Sequence, residues 1–127
     1  MAQTLQTDLV LNSVGQEIRN YKNEFIGCVT EVFRDRNSNQ LQYLVLKSEA
    51  FAGRGERYFA VPVSSSLIKI QESGNIILAA EKDDLEFAQG ISIKNCPKPD
   101  YRFSPTIYEL YEYNKPLKDD HWLNNHS

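Results

Sequence analysis

The sequence predicts an all-β protein: a small β-barrel of five or six mainly antiparallel strands, with one short helix and a C-terminal extension. Three observations predict it. Short runs rich in β-branched and aromatic residues recur between about Leu9 and Ala79, separated by Asn, Asp, Ser and Gly clusters at roughly hairpin spacing. One stretch alone, Lys82 to Gly90, carries helix punctuation beside them. The chain has 127 residues, 41% hydrophobic and 24% charged, enough for one core without a metal or disulfide staple. Such a composition excludes a disordered chain, a collagen-like repeat and a disulfide scaffold.

Residues 1–8 are polar and are expected to fray. From Leu9 to Ile18 the chain turns apolar and alternates loosely, the start of the barrel. Asn23 suits a left-handed turn position. Phe25 to Arg34 reads as a strand with apolar residues on both faces, which calls for burial on both sides or a bulge. Asp35 to Asn39 is a loop, and Leu41 to Lys47 is the next strand, nearly continuous in apolar residues. Phe51 to Glu56 is a glycine-containing loop. Arg57 to Val61 is a strand closed by Pro62, since proline cannot donate to a sheet ladder. Ser64, Ser65 and Ser66 turn the chain toward Leu67 to Ile70. A further turn at Ser73 to Asn75 leads into a strand from Ile76 to Ala79.

Asp83 and Asp84 suit a helix N-terminus and Gly90 its C-terminal cap, so a helix of about two turns is expected near Asp83–Ala88. The expected core includes Ile26, Val29, Leu44, Val61, Leu78 and Leu85, with Val32, Leu46 and Ile77 helping to fill the interior. Gly15 and Gly27 fall within strand patterns, where glycine weakens a strand unless the backbone must bend or be approached closely.

Asn95 to Asp100 forms a proline-stiffened linker into residues 101–127, which hold six of the fourteen aromatics. Disordered tails are poor in aromatics, so this one is expected to pack on something. Ser104-Pro105 is a good helix start, with Phe103 and Tyr108 at the staple positions and Pro116 as the stop. An extended strand through Glu109 to Tyr113 is the rival reading. Tyr101, Phe103, Tyr108, Leu110, Tyr111 and Trp122 form the candidate interaction surface. They could fold back on their own barrel or reach a second copy across a two-fold axis, giving a homodimer. The expected organisation is a flexible N-terminus over 1–8, a barrel over 9–93 and the aromatic extension over 94–127.

The net charge is −3, with seven basic and seven acidic residues in 1–60 and seven against ten in 61–127. Arg34, Arg36, Arg54 and Arg57 sit in or beside loops with Asp35 and Glu56 interleaved, which reads as a solvated mixed-charge rim. That pattern argues against a nucleic-acid partner, which would want a clustered basic footprint. The two cysteines form no framework, and Cys28 is expected to pack as a small hydrophobe. No phosphate loop or nucleophile elbow is present. Asp119, Asp120, His121 and His126 are the best metal-like group, but they lie on a polar terminus. The acids Asp83, Asp84 and Glu86 fit a helix start better than general acid–base work. No catalytic, cofactor or metal site is expected. The longest apolar runs are far below the roughly 18 residues of a membrane span, and Met1 to Thr4 opens no leader. A cytoplasmic location is the expectation.

From about Val10 to Ile91 the chain resembles the PRC-barrel domains. Val14-Gly15 and Ile18 resemble the family's opening strand, and Phe25-Ile26-Gly27-Cys28-Val29 its Gly-x-x-Ile-Gly-x-Val element, with Asn23 where a glycine is usual. Phe59-Ala60-Val61-Pro62 with Leu67 resembles the Val-Pro-Trp-x-x-Leu element, Val63 replacing tryptophan. Ile77 to Ala88, with Leu85 and Ala88, resembles the last strand and its Lys-x-x-Leu helix, Gln89 standing where proline is common. The family motif therefore rests on Gly15, Ile18, Gly27, Val29, Val61, Pro62, Leu85 and Ala88. The family has no shared catalytic residue. The resemblance implies a non-enzymatic interaction or adaptor module that docks on a larger assembly through a protein partner. A ribosome- or RNA-associated factor and a small-molecule-binding barrel are the alternatives, tested by salt-sensitive RNA binding and by an internal pocket.

Overall fold

Alternation explains the centre of the molecule. In a computed structural model, which describes residues 9–35, 37–49, 51, 53, 55–92, 97, 106–111 and 113, β3 (Leu41–Ser48) lies antiparallel beside β4 (Arg57–Pro62). Leu44 and Leu46 join Phe59 and Val61 on one face, while Tyr43 and Val45 join Tyr58 and Ala60 on the other. None of these eight is more than 9% exposed. A strand apolar on both faces must be covered on both, which is why β3 reads as a nearly continuous apolar run.

The other strands are β1 (Glu17–Asn20), β2 (Phe25–Arg34), β5 (Ile68–Ile70), β6 (Ile76–Leu78), β7 (Gln89–Ser92) and β8 (Tyr108–Tyr111). They form one sheet in the order β5-β6-β1-β2-β3-β4-β8-β7. The pairs β1–β6 and β7–β8 are parallel and the remaining neighbours antiparallel. The six strands β1 to β6 lie where the sequence places the barrel, and the chain then adds β7 and β8 at one side.

Both explanations for the two-sided pattern of β2 hold. The register against β3 shifts between Val29 and Glu31. That extra residue lets Val29 and Val32, three apart, pack on the same inner cluster, while Phe33 turns to the outer one. The inner cluster also takes Ile18, Ile26, Leu78 and Leu85, each at most 2% exposed. All six expected core residues are buried there, whereas Ile77 is only half-buried.

Two expectations need correction. The apolar start is not a strand: residues 9–11 are helical, a turn follows, and β1 begins only at Glu17. Ser13 closes that turn by donating its hydroxyl to the Val10 carbonyl, which carries Val10 into the core. The helix spans Lys82–Glu86, and its C-cap is Phe87 instead of Gly90, which belongs to β7. Phe51 lies in the loop as expected, and its ring is buried in the inner cluster.

The helix start is as the acids indicate. Asp83 and Asp84 occupy its first turn, and Asp84 Oδ2 accepts the Glu81 backbone N–H at 2.9 Å. Lys22 Nζ lies 2.7 Å from Glu81, and the Tyr21 hydroxyl donates to the same carboxylate. These contacts hold the carboxyl of Glu81 below its usual range and tie the β1–β2 turn to the helix. Asn23 in that turn has φ 65°, as expected.

Candidate functional site

The extension enters the sheet as a strand. Between the two readings open for it, residues 108–111 take the extended one, and the helix is overturned over that span. A helix of about nine residues is marginal on its own, whereas β4 and β7 offer backbone partners on both sides. Phe59 faces Glu109 and Ala60 faces Tyr108 across β4–β8, and Gln89 to Ser92 pair with Tyr108 to Tyr111 across β7–β8. Ser104, Pro105 and Pro116 lie outside the described residues.

Strand alternation then sorts the side chains. Ile107 joins the inner cluster and Leu110 the outer one. Glu109, on the same side as Ile107, meets Arg57 at the start of β4. The sequence places Arg57 on a solvated rim, yet it is 4% exposed. The reason is its phase: it alternates with Phe59 and Val61, so the strand carries it inward. Its Nη2 donates to Glu109 Oε1 at 2.8 Å and to the Glu86 carbonyl at 2.9 Å, and its Nε donates to Glu109 Oε2 at 3.1 Å. The guanidinium carbon lies 4.9 Å from the Phe51 ring centroid and 5.0 Å from that of Phe59. Nη1 is buried and donates to no acceptor among the described residues. One side chain thus joins β4, the 51–56 loop, the helix end and the extension.

The outer face is closed from the same direction. Tyr113 packs edge-on against Tyr58, with centroids 4.7 Å apart, and its hydroxyl donates to the Glu31 carboxylate of β2. Burial, followed by that hydrogen bond, raises the Tyr113 phenol well above its ordinary value. The Tyr43 hydroxyl donates to the Pro97 carbonyl at 2.5 Å. Tyr43, Val45, Tyr58 and Ala60 would otherwise present a broad apolar patch to water.

Two glycines accommodate close approaches. A Cβ on Gly27 would stand 2.5 Å from the Lys47 carbonyl oxygen, a backbone atom that cannot move aside. At Gly90, the ring of Tyr111 occupies the space where a Cβ would project. Tyr111 nevertheless remains 58% exposed, and Phe87, just before β7, is 77% exposed. Among the described residues the sheet ends at β7. The exposed aromatics therefore lie beside the last strand of the described sheet.

Of the candidate surface, Leu110 is buried, Tyr108 half-buried and Tyr111 exposed, while Tyr101, Phe103 and Trp122 lie outside the described residues. So do Arg36, Arg54, Cys96, Asp119, Asp120, His121 and His126. Cys28 is half-buried in β2. The motif positions serve the barrel: Ile18, Val29, Val61, Pro62 and Leu85 are buried, and Ala88 packs against the inner cluster. Gly15 takes φ +94° in the turn before β1. Sequence reading missed Arg57, Glu109, Glu31, Phe51, Phe87 and Gly90 as parts of this region. Only Arg57 left a signal, its phase with Phe59 and Val61.

No helix among the described residues is long and apolar enough to cross a membrane. A comparison with curated proteins found no match. The PRC-barrel domain matches residues 12–85, more than half of the chain, and the match ends within the helix, before β7 and β8. With six barrel strands, six of the eight motif residues buried and that match together, the chain belongs to the PRC-barrel domain family, carrying a C-terminal extension that adds β8 to its sheet.

Proposed function

We propose that this protein is a non-enzymatic adaptor of the cytoplasm, which docks on a larger assembly through the β7 edge. The observation that carries the reading is the pair of aromatics beside that edge, Phe87 at 77% and Tyr111 at 58% exposure. A side chain of that size left in water forgoes burial of about 25 cal/mol per Å² of apolar surface. A partner that lays an apolar surface over Phe87 and Tyr111 recovers it. The interior supports the same reading, because Ile26, Leu44, Leu46, Phe59 and Val61 fill it. A fold alone does not specify a function, so the proposal rests on the face.

The test compares the wild-type chain with Phe87→Ser and Tyr111→Ser as baits in extracts of the native organism. Both positions are exposed, so the variants should keep the wild-type melting temperature. A partner retained by the wild type and lost from both variants is the expected result. Identical retained proteins for all three baits would sink the reading.

A further inference from the structure

The short helix carries an aromatic ring at each end and carboxylates between them. Leu85 is its buried residue, whereas Asp83 and Asp84 are exposed. Phe87, the C-cap, follows them by four and three positions, a spacing that places side chains on one helix face. The Phe87 N–H donates to the Asp83 carbonyl at 3.1 Å, so the turn is closed as far as that ring. At the other end Tyr21, in the β1–β2 turn and 56% exposed, donates its hydroxyl to Glu81, the N-cap. The Tyr21 phenol is raised, first by that hydrogen bond and in smaller part by the charge of Asp84, so Tyr21 and Asp84 share this side of the fold. Glu81 and Phe87 are six positions apart, about 9 Å along a helix axis.

The strip is anionic as well as aromatic. Residues 81–87 hold four carboxylates and one lysine. The Lys82 ammonium lies 5.7 Å from the Phe51 ring centroid, and Lys22 is held by Glu81. Among the described residues Asp83 and Asp84 form no ion pair. A planar guanidinium stacks on a ring and pairs with a carboxylate at once, which a compact ammonium does less well. The protein's interior holds one such group, Arg57 between the rings of Phe51 and Phe59 and the Glu109 carboxylate. We propose that the docking partner presents a basic segment, arginines among apolar residues, to the strip running from Tyr21 past Asp84 and Asp83 to Phe87. An arginine lies on the Phe87 ring and donates to Asp83, while its apolar neighbours cover the rings. The proposal rests on the reading of Phe87 as part of the docking face and adds the chemistry of what docks there.

The test titrates the isotope-labelled full chain with acetyl-Leu-Arg-Leu-Arg-Leu-amide, up to millimolar concentration, and follows its amide resonances. Two control peptides carry Lys or Glu in place of Arg. Saturable shifts at Tyr21, Asp83, Asp84 and Phe87 are expected with the arginine peptide, weakening as salt rises. The lysine peptide should bind about two- to fivefold more weakly, and the glutamate peptide should leave these four residues unmoved. Phe87→Ser and Asp83→Asn should each weaken the arginine peptide about two- to fivefold. Both side chains are exposed, so both variants should melt close to wild type. Saturable shifts absent from this strip, equal binding of either control peptide, or an unchanged affinity in either variant overturns the proposal. It fails separately from the adaptor reading. A partner kept from extracts by the wild type and by Asp83→Asn in high salt, but lost by Phe87→Ser, leaves that reading standing and overturns this one.

Discussion

Arg57 and Glu109, one at the start of β4 and one in the C-terminal extension, form a two-pronged ion pair with contacts of 2.8 and 3.1 Å. The arginine side chain is 3% exposed and the glutamate 22%. This pair joins the extension to the barrel across 52 positions of sequence. Removing one partner from a buried pair leaves the other charge uncompensated. Glu109→Gln should therefore lower unfolding free energy by about 3 kcal/mol, the low end of the range for buried pairs because Glu109 retains some solvent. Replacing both, Arg57→Met with Glu109→Leu, should recover most of that loss, since an apolar pair of similar volume is often neutral. Urea midpoints of the two variants decide it; equal losses would show that the arginine's other contacts dominate.

Gly27 and Gly90 should respond differently to the same substitution. Gly27→Ala forces a methyl onto the Lys47 carbonyl, so β2 and β3 must separate. A loss of roughly 1–3 kcal/mol, as for overpacking, is expected. Gly90→Ala meets only the far end of the Tyr111 side chain, which is exposed and free to swing. Its melting temperature should stay near wild type, while Tyr111 fluorescence changes as the ring leaves β7.

Leu44 and Leu85 test the inner cluster from opposite sides, the first from β3 and the second from the helix. They are 1% and 0% exposed. Either one changed to alanine should cost about 2–5 kcal/mol by denaturant titration. Values within error of wild type at both would mean that the helix does not close the barrel.

Alkaline pH should loosen the outer face. Burial and the hydrogen bond to Glu31 raise the Tyr113 phenol above the ordinary tyrosine value of 10.0. A group raised in the folded state contributes stability that is complete below its unfolded value and lost as pH rises beyond it. Stability should thus hold to about pH 10 and fall above it. Tyr58, raised by burial and by Glu56, adds to the same decline. Tyr113→Phe should flatten the fall, at a loss near neutral pH of about 1 kcal/mol for one hydrogen bond. A slope unchanged by the substitution would place the alkaline loss elsewhere.

The sequence by itself determined the barrel. Runs of apolar and β-branched residues in β3 and β4, turn residues at Asn23 and Asn39, and the acids at the helix start are local signals, read within a few residues. Burial of Ile26, Val29, Leu44, Val61, Leu78 and Leu85 followed from them. Tertiary structure decided the extension. Residues 108–111 fit a helix or a strand, and no local preference in so short a segment outweighs two backbone edges waiting on β4 and β7. The same long-range step reassigned Gly90 from helix cap to strand and moved Arg57 from rim to interior. An arginine is placed in water by its charge alone, and its burial becomes acceptable only when a carboxylate 52 positions away is brought beside it. That partner is invisible to any reading of neighbours along the chain, because only the closed sheet sets Glu109 opposite Arg57.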